Sequence, residues 1–314
     1  MSASVSIIIP CYNAARWIGA AIDSALTQTC PENQIIVVDD GSTDDSLRIA
    51  RTYESRGVSV VTQTNRGAAA ARNAGLKIAQ GDFIQFLDAD DILAPDKIAL
   101  QIKSVLNKPE HIASASWGEF HDDPKKAKFT RNPIWSSFSP VEWLVCSWQG
   151  GGMMHPAAWL VPRKIADAAG PWNENLSLDD DGEYFSRVIL CSKGVVFVPE
   201  AKSFYRTHAG VRLSGSAGPK AAESSYAACT LKELHLLATE DSPRTHHALA
   251  ANYSRFAWEQ LVAAPELAEH AIMHWQKLDP TVKPPRGGKL YNVISSVFGW
   301  RTARRLQLRR QCRS

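Results

Sequence analysis

The sequence predicts an α/β fold, a mostly parallel sheet flanked by helices and followed by a C-terminal helical extension. Three observations carry this expectation. The first third of the chain holds four near-continuous apolar runs rich in Ile, Val and Phe. Such runs are expected of strands covered on both faces. Helical patterns separate them, and strand–helix alternation produces right-handed crossovers and parallel pairing. From about Pro219 onward the pattern is helical, with one break.

Taken in order, strands are expected at Val5–Pro10, Gln34–Asp40, Val58–Thr62 and Asp82–Asp88. Helices are expected at Ala14–Gln28, Asp44–Glu54, Gly67–Ala79 and Pro95–Leu106. Ser42, Thr43 and Asp44 are good capping types for the second helix. Beyond Leu106 the alternation weakens. His111–Glu119 reads as a further strand, and the region around Lys125, Lys126 and Pro133 reads as loop. Gly150-Gly151-Gly152 marks a break before the apolar stretch Met153–Val161. Leu178-Asp179-Asp180-Asp181-Gly182-Glu183 opens a helix to about Leu190, and Val195–Val198 reads as a strand. Gly210–Gly218 is a Gly/Ser-rich loop or linker, and Pro284-Pro285 with Gly287-Gly288 interrupts the C-terminal helices.

The bulk composition excludes several classes. A chain of 314 residues has room for one large domain or two small ones. A hydrophobic content of 45% with 21% charged residues is ordinary for a globular protein. A net charge of +3 gives no reason to expect nucleic-acid binding. No run approaches the roughly 18 apolar residues of a membrane span. Met1 to Ser4 lead straight into Val5–Ile9, so no signal peptide is expected. Cys11, Cys30, Cys146, Cys191, Cys229 and Cys312 are scattered, without the spacing of a zinc site or a disulfide scaffold, which suits a reducing cytoplasm.

Ligands of open parallel sheets sit outside the carboxyl ends of the strands. Those ends are Pro10-Cys11-Tyr12-Asn13, Asp39-Asp40-Gly41-Ser42 and Asp88-Ala89-Asp90-Asp91. Asp88 and Asp90 can hold one divalent ion through hard oxygen ligands, or Asp90 and Asp91 can simply cap the next helix. Asp39 and Asp40 can accept a hydrogen bond from a base N–H, or make an Asx turn with the following glycine. Tyr12 can stack on a base or sit at a core rim. Arg72 can pair with a diphosphate or face solvent.

In combination these segments resemble the family 2 glycosyltransferases. The resemblance rests on Ser6–Asn13, Ile36–Asp44, Asn65-Arg66-Gly67 with Ala71–Gly75, and Phe86–Asp91, in this order and spacing. It covers roughly residues 4 to 210. It implies a GT-A fold, and transfer with inversion from a nucleotide diphosphate sugar, expected to be a UDP-sugar, to an acceptor hydroxyl. It divides the chain into a GT-A domain at 1–215, with a nucleotide-binding half to about 110 and an acceptor half from 111, and a helical region with a basic tail at 216–314. The implied donor-binding residues are Pro10, Tyr12, Asn13, Asp39, Asp40, Arg72 and Asp88. Tyr12 and Asp40 hold the base, with Asp39 the weaker candidate. The implied cofactor is Mn²⁺ or Mg²⁺, bound by Asp90 with Asp88 and with His208 of Tyr205-Arg206-Thr207-His208. His155 is a further histidine whose role the sequence leaves open, since a lone His is more often structural.

The family's catalytic-base motif matches Asp180-Asp181 ahead of Gly182–Arg187. Asp181 takes the base position. The family more often has Glu where Asp180 stands, and three consecutive aspartates leave the register open by one residue. Without the upstream motifs, the cluster reads as an acid-rich helix N-terminus.

Two other classes share some of these demands. A nucleotidyltransferase needs a Gly-rich, basic phosphate loop after the first strand, where this chain has Pro10–Asn13. A catalytically silent nucleotide-sugar-binding protein lacks the metal carboxylate or the base, and here both positions are filled. Expected partners are the donor and a saccharide, lipid-linked or protein acceptor in envelope polysaccharide, glycolipid or glycan synthesis, with no nucleic acid. At the C-terminus, Leu290, Val293, Ile294, Val297 and Phe298 recur at helical spacing. Trp300 and the arginines at 301, 304, 305, 309, 310 and 313 follow, with no acid from Lys283 to Ser314. This pattern suits peripheral contact with the inner face of a membrane by a cytoplasmic protein. It also suits a face packed on the domain with a solvated tail.

Overall fold

The computed structural model describes residues 3–30, 32–207 and 218–311. The chain runs β1 (Ser4–Cys11), α1 (Ile18–Leu26), β2 (Glu32–Asp39), α2 (Ser46–Arg51), β3 (Val58–Thr62), α3 (Ala68–Ile78) and β4 (Phe83–Phe86). It continues through β5 (Ile92–Leu93), α4 (Lys97–Val105), β6 (His111–Phe120), α5 (Pro140–Cys146), β7 (Trp159–Pro162), α6 (Arg163–Ala169), α7 (Asp180–Leu190) and β8 (Gly194–Arg206). Five helices follow: α8 (Pro219–Thr239), α9 (Pro243–Gln260), α10 (Pro265–Leu278), α11 (Lys289–Phe298) and α12 (Trp300–Gln311).

The sheet has eight strands in the order β3-β2-β1-β4-β7-β6-β8-β5. The first four pair in parallel, β1 lying between β2 and β4. β7 runs antiparallel to both β4 and β6, which restores β6 and β8 to the direction of β1. The carboxyl ends of β1, β2, β4, β6 and β8 therefore share one edge. Ile7, Ile8, Ile9, Ile36, Val37 and Val38 have no more than a trace of exposure, as strands covered on both faces require.

Several boundaries differ from the sequence expectation. α2 starts at Ser46 instead of Asp44, because the capping types before it serve another purpose. Ser42 Oγ accepts from the Asn13 N–H at 3.0 Å. Asp44 Oδ2 accepts from the Ala15 N–H at 3.1 Å. These residues tie the β1 loop to the β2 loop, and Asp44 Oδ1 also accepts from the N–H of Ser46, the first residue of α2, at 2.9 Å. β4 stops at Phe86, so Asp88 lies in the following turn. The apolar stretch before Val161 contributes β7, and the Val195 strand extends to Arg206. Of the Gly/Ser-rich stretch at 210–218, all but Gly218 lies outside the described residues.

Lys97 on α4 is fully buried, with its Nζ donating to Gln85 Oε1 and, at 3.2 Å, to the Trp159 carbonyl. Burial pushes its pKa well below the usual lysine range. It pins α4 beneath the β4–β7 junction.

Candidate active site

The site edge is built from loops that hold one another. Pro10 is buried near the end of β1, past the last β1–β4 pair, Ile8 with Phe86. There, with β4 gone, a missing N–H costs the ladder least. Tyr12 follows it with half its surface exposed. Asn13 adopts the left-handed conformation (φ 48°), and its Oδ1 accepts from the Thr43 N–H at 2.8 Å. Asn13 thus fixes the two loops to each other.

Asp39 and Asp40 are both buried and behave differently. Asp40 Oδ1 accepts from Gln63 Nε2 at 2.7 Å and from the Arg66 N–H at 2.9 Å, and Oδ2 from the Gly67 N–H at 2.8 Å. Its carboxylate is committed to the loop between β3 and α3. Asp39 Oδ2 accepts from the Ser42 N–H at 3.2 Å, while Oδ1 is buried with no hydrogen-bond partner among the described residues. An orphaned buried carboxylate oxygen is costly unless a ligand supplies the missing donor. Gly41 between this loop and the next needs its positive φ of 72°, and a Cβ there would press on the Asn65 backbone nitrogen at 2.9 Å.

Arg72 does not face solvent. Its side chain is 6% exposed, with Nη2 2.8 Å from Asp88 Oδ1 and Nη1 2.9 Å from Asp180 Oδ2. Its guanidinium lies 4.4 Å from the Trp172 ring centroid, and Trp172 stacks on Tyr184 at 4.1 Å. Burial opposes its charge, but Asp88 and Asp180 more than offset that and raise its pKa further. Its neighbour Asn73 bonds Trp172 twice, giving to its carbonyl at 2.9 Å and accepting from its N–H at 2.8 Å. Asn73 also donates to Glu174 at 2.9 Å. The segment Ala71–Gly75 therefore docks α3 onto the chain that leads into α7.

Asp88 keeps 28% of its side-chain surface, and Asp90 is half-buried. The next residue, Asp91, is buried. Its Oδ2 is 2.8 Å from His155 Nδ1, and its Oδ1 accepts from the Arg206 N–H at 2.9 Å. His155 Nε2 lies 2.9 Å from Ser203 Oγ. His155 is thus a structural tie between the loop after β4 and β8. Arg206 Nε donates to the Asp90 carbonyl at 2.8 Å, so β8 also sets the backbone of the Asp88–Asp91 turn.

The chemistry of Asp88 and Asp90 fits a hard divalent cation. Both offer carboxylate oxygens two residues apart at a turn, and soft ligands are absent from that turn. Among the described residues no group of three or more His, Cys, Asp or Glu forms a protein-only metal cage. A cation here would take its other ligands from phosphate and water, the usual arrangement for Mg²⁺. His208 lies outside the described residues.

At the N-terminus of α7, Asp179 is the N-cap residue in the left-handed conformation (φ 62°). The three aspartates part company there. Asp179 pairs with Lys232 at 2.5 Å and Asp180 with Arg72. Asp181 accepts from the Gly182 N–H at 2.8 Å and has no ion pair among the described residues. Burial first, and then the charges of Asp180 and Asp179, push the Asp181 carboxyl up to about 7. Burial likewise raises Asp180 despite Arg72.

Of the residues expected from the sequence, the structure brings Asp88, Arg72, Asp180 and Asp181 together. It gives Asn13 and Asp40 mainly loop-holding contacts, and it places Pro10 inside a strand. Asn73, Trp172, Glu174, Arg206 and Lys232 were not singled out. Asn73 and Arg206 lie inside segments already noted. The others carry no local signal, since their partners are distant in sequence.

Comparison with known proteins gives a consistent picture. The family model described as glycosyl transferase family 2 matches residues 6–169. An uncharacterized glycosyltransferase of Haemophilus influenzae is 45% identical over 105 residues, 32% of this chain and 42% of that protein. The chain thus spans less than half the length of that relative. The Escherichia coli protein named UDP-Glc:alpha-D-GlcNAc-diphosphoundecaprenol beta-1,3-glucosyltransferase WfaP is 32% identical over 209 residues, 66% of this chain and 78% of that one. Among solved structures, S. aureus TarS 1-349 in complex with UDP-GlcNAc superposes with a TM-score of 0.74. It covers 98% of this chain and 92% of that one at 17% identity, a likeness of fold.

Proposed function

The chain belongs to glycosyl transferase family 2, and from that premise we propose that it moves a sugar from a UDP-sugar to an acceptor hydroxyl with inversion at the anomeric carbon. The observation that carries this reading is the Arg72 bridge. It joins the Asp88 turn to Asp180, 108 residues away in sequence from Arg72, and so sets that turn beside a part-buried carboxylate.

The residues divide the work. Tyr12, half exposed at the end of β1, offers a stacking face to the base, and the orphaned Asp39 Oδ1 offers an acceptor to a base N–H. Asp88 and Asp90 would hold Mn²⁺ or Mg²⁺ against the diphosphate, where the ion supplies Lewis-acid stabilisation of the departing charge. Asp181 takes the proton of the attacking hydroxyl, and a carboxyl near neutrality is well matched to that task. One base and no carboxylate nucleophile give a single displacement. Arg72 holds Asp180 and Asp88 in register.

The WfaP name specifies a UDP-glucose donor and a diphosphoundecaprenol-linked acceptor for that protein. It supports a lipid-linked saccharide as the acceptor class here. Peripheral contact with an anionic membrane, from the cytoplasmic side, is part of the same proposal. Among the described residues no helix is long and apolar enough to cross a membrane. α11 buries Tyr291, whose hydroxyl accepts from Trp258 Nε1 at 2.9 Å. Leu290, Val293, Val297 and Phe298 are each at least half exposed beside it. α12 docks through Ala303 and Arg304, the latter 3.4 Å over the Trp258 ring, and leaves Arg305, Arg309 and Arg310 outward. An exposed apolar stripe beside exposed arginines complements an anionic lipid surface.

The test is incubation with a panel of nucleotide sugars, Mn²⁺ or Mg²⁺ and lipid-linked acceptors, following release of nucleoside diphosphate. Acceptor-dependent release that EDTA abolishes is expected. Tight UDP-sugar binding with no release would mark a silent binding protein. Pyrophosphate release from a nucleoside triphosphate and a sugar phosphate would mark a nucleotidyltransferase.

A further inference from the structure

Lys232 lies on α8, beyond the segment that the family model matches. Its side chain is 5% exposed, and its Nζ is 2.5 Å from Asp179 Oδ2. Burial works against its charge, but Asp179 outweighs that and holds the ammonium protonated. A buried lysine on a helix is costly unless it is paired. Here the partner is the residue that opens α7 in a conformation few non-glycine residues adopt. The first backbone bond of α7, from the Glu183 N–H to the Asp179 carbonyl at 3.1 Å, issues from the same residue.

Lys232 does not act alone on this face. Ser224, two turns earlier on α8, accepts from the Ser177 and Leu178 N–H groups at 2.8 and 2.9 Å, and its hydroxyl lies 2.9 Å from the Leu178 carbonyl. His235, three residues after Lys232, lies 3.1 Å from Glu183 Oε1. Ser224, Ala228, Lys232 and His235 fall at helical spacing on one face, with Ala228 fully buried among them. That face holds residues 177, 178, 179 and 183, the chain on both sides of the catalytic aspartates. Gly182 sits beneath the contact. A Cβ there would collide with the Asp179 carboxylate and the Lys232 ammonium.

We propose that Lys232 is a positioning residue for the transfer reaction: by holding Asp179 it fixes which of three consecutive aspartates stands as the base, so the C-terminal helical region completes the active site. This rests on the reading of Asp181 as the base. Asp179 is drawn back to α8 by Lys232, and Asp180 is drawn to α3 by Arg72. Asp181 is left as the carboxylate committed to neither cation. Removing Lys232 leaves a part-buried carboxylate unpaired two residues from the base, free to turn into the site or to unwind the first turn of α7.

The experiment compares Lys232→Met, Lys232→Arg, and Lys232→Met combined with Asp179→Asn, in the full chain. Three readouts are taken: UDP affinity by calorimetry, kcat for transfer, and hydrogen exchange of the Glu183 amide. Lys232→Met should lower kcat on the order of 10- to 100-fold with UDP affinity within about twofold, and should speed exchange at Glu183. Lys232→Arg should keep a large part of kcat, and adding Asp179→Asn should recover most of the loss. Lys232→Met with wild-type kcat, beside a dead Asp181→Asn enzyme, would overturn the proposal. So would loss of UDP binding and folding in step with kcat and no recovery in the double variant, which leaves Lys232 a merely structural role. An active Asp181→Asn enzyme would instead remove the base reading, while unchanged exchange at Glu183 would separately remove the clamp.

Discussion

The Arg72 guanidinium donates to Asp180 across 2.9 Å and thereby joins helix α3 to the N-terminus of α7. The bridge is buried, and its other arm ends on Asp88. Arg72→Ala leaves two part-buried carboxylates near each other without their cation. The expected loss is roughly 3–5 kcal/mol of stability, read from urea denaturation. Arg72→Lys should recover only part of it, since an ammonium lacks the fork that reaches both acids. A loss under 1 kcal/mol for Arg72→Ala would show that the bridge does not hold the two halves of the site.

Asp181→Asn should keep UDP binding and lower transfer by a factor on the order of 10²–10⁴. With the carboxyl at about 7, the wild-type kcat should fall as pH drops below neutrality, because the base must be ionised. Stability runs the other way. Asp181 has a folded pKa raised above its ordinary 3.8, so its contribution is full below about 4 and is lost as pH rises through about 7. Asp181→Asn should therefore raise the thermal midpoint relative to wild type at pH 8 more than at pH 4. A dead Asp180→Asn enzyme beside an active Asp181→Asn enzyme would move the base by one residue.

Asp90 and Asp91 are adjacent and should respond differently. Asp90→Ala should cost less stability than Asp91→Ala, since Asp90 is half-buried and Asp91 fully buried. It should also abolish the increment in UDP affinity that Mn²⁺ confers in calorimetry. Asp91→Ala strips His155 and the Arg206 N–H of a buried acceptor and should destabilise by roughly 3–5 kcal/mol. Equal stability losses for the two variants would contradict this division.

Asp39 and Asp40 form a second such pair. Asp39→Asn should weaken UDP binding at least roughly tenfold, about 1.4 kcal/mol, with little change in the thermal midpoint. Asp40→Asn turns a donor toward backbone N–H groups at Arg66 and Gly67, and should cost roughly 1–3 kcal/mol of stability. The reverse pattern, with Asp40→Asn selectively losing UDP, would return the base-binding role to Asp40.

The C-terminal helices can be tested by flotation or co-sedimentation with vesicles containing anionic lipid at low salt. Replacing Arg305, Arg309 and Arg310 by Gln should reduce binding on the order of 100-fold, since each basic residue near the surface contributes about 1 kcal/mol. Val293→Ser with Val297→Ser should reduce it independently of salt. Equal recovery of wild type and both variants in the supernatant would remove the membrane from the proposal.

The sequence by itself determined the alternation of strands and helices, the strand ends that form the site edge, and the acidic motifs there. Those features are local. A buried strand needs a run of apolar residues, and a site on a parallel sheet needs polar residues where each run stops. The family resemblance added which acids to expect and in what roles. Tertiary structure alone decided how those acids are partnered. Asp40 and Asp39 look alike in sequence, yet the loop after β3 fills one and leaves an oxygen of the other without a donor. Arg72 reads equally as a diphosphate partner or a surface residue until Trp172 and Asp180 arrive from about a hundred residues away. The three aspartates of α7 were ambiguous by one residue because nothing local separates them. Lys232 and Arg72, brought from two different helices by packing, draw off two of them, and burial then raises the pKa of the third. Ion pairing and desolvation depend on which groups meet in space, and a linear pattern holds no record of contacts made across such separations.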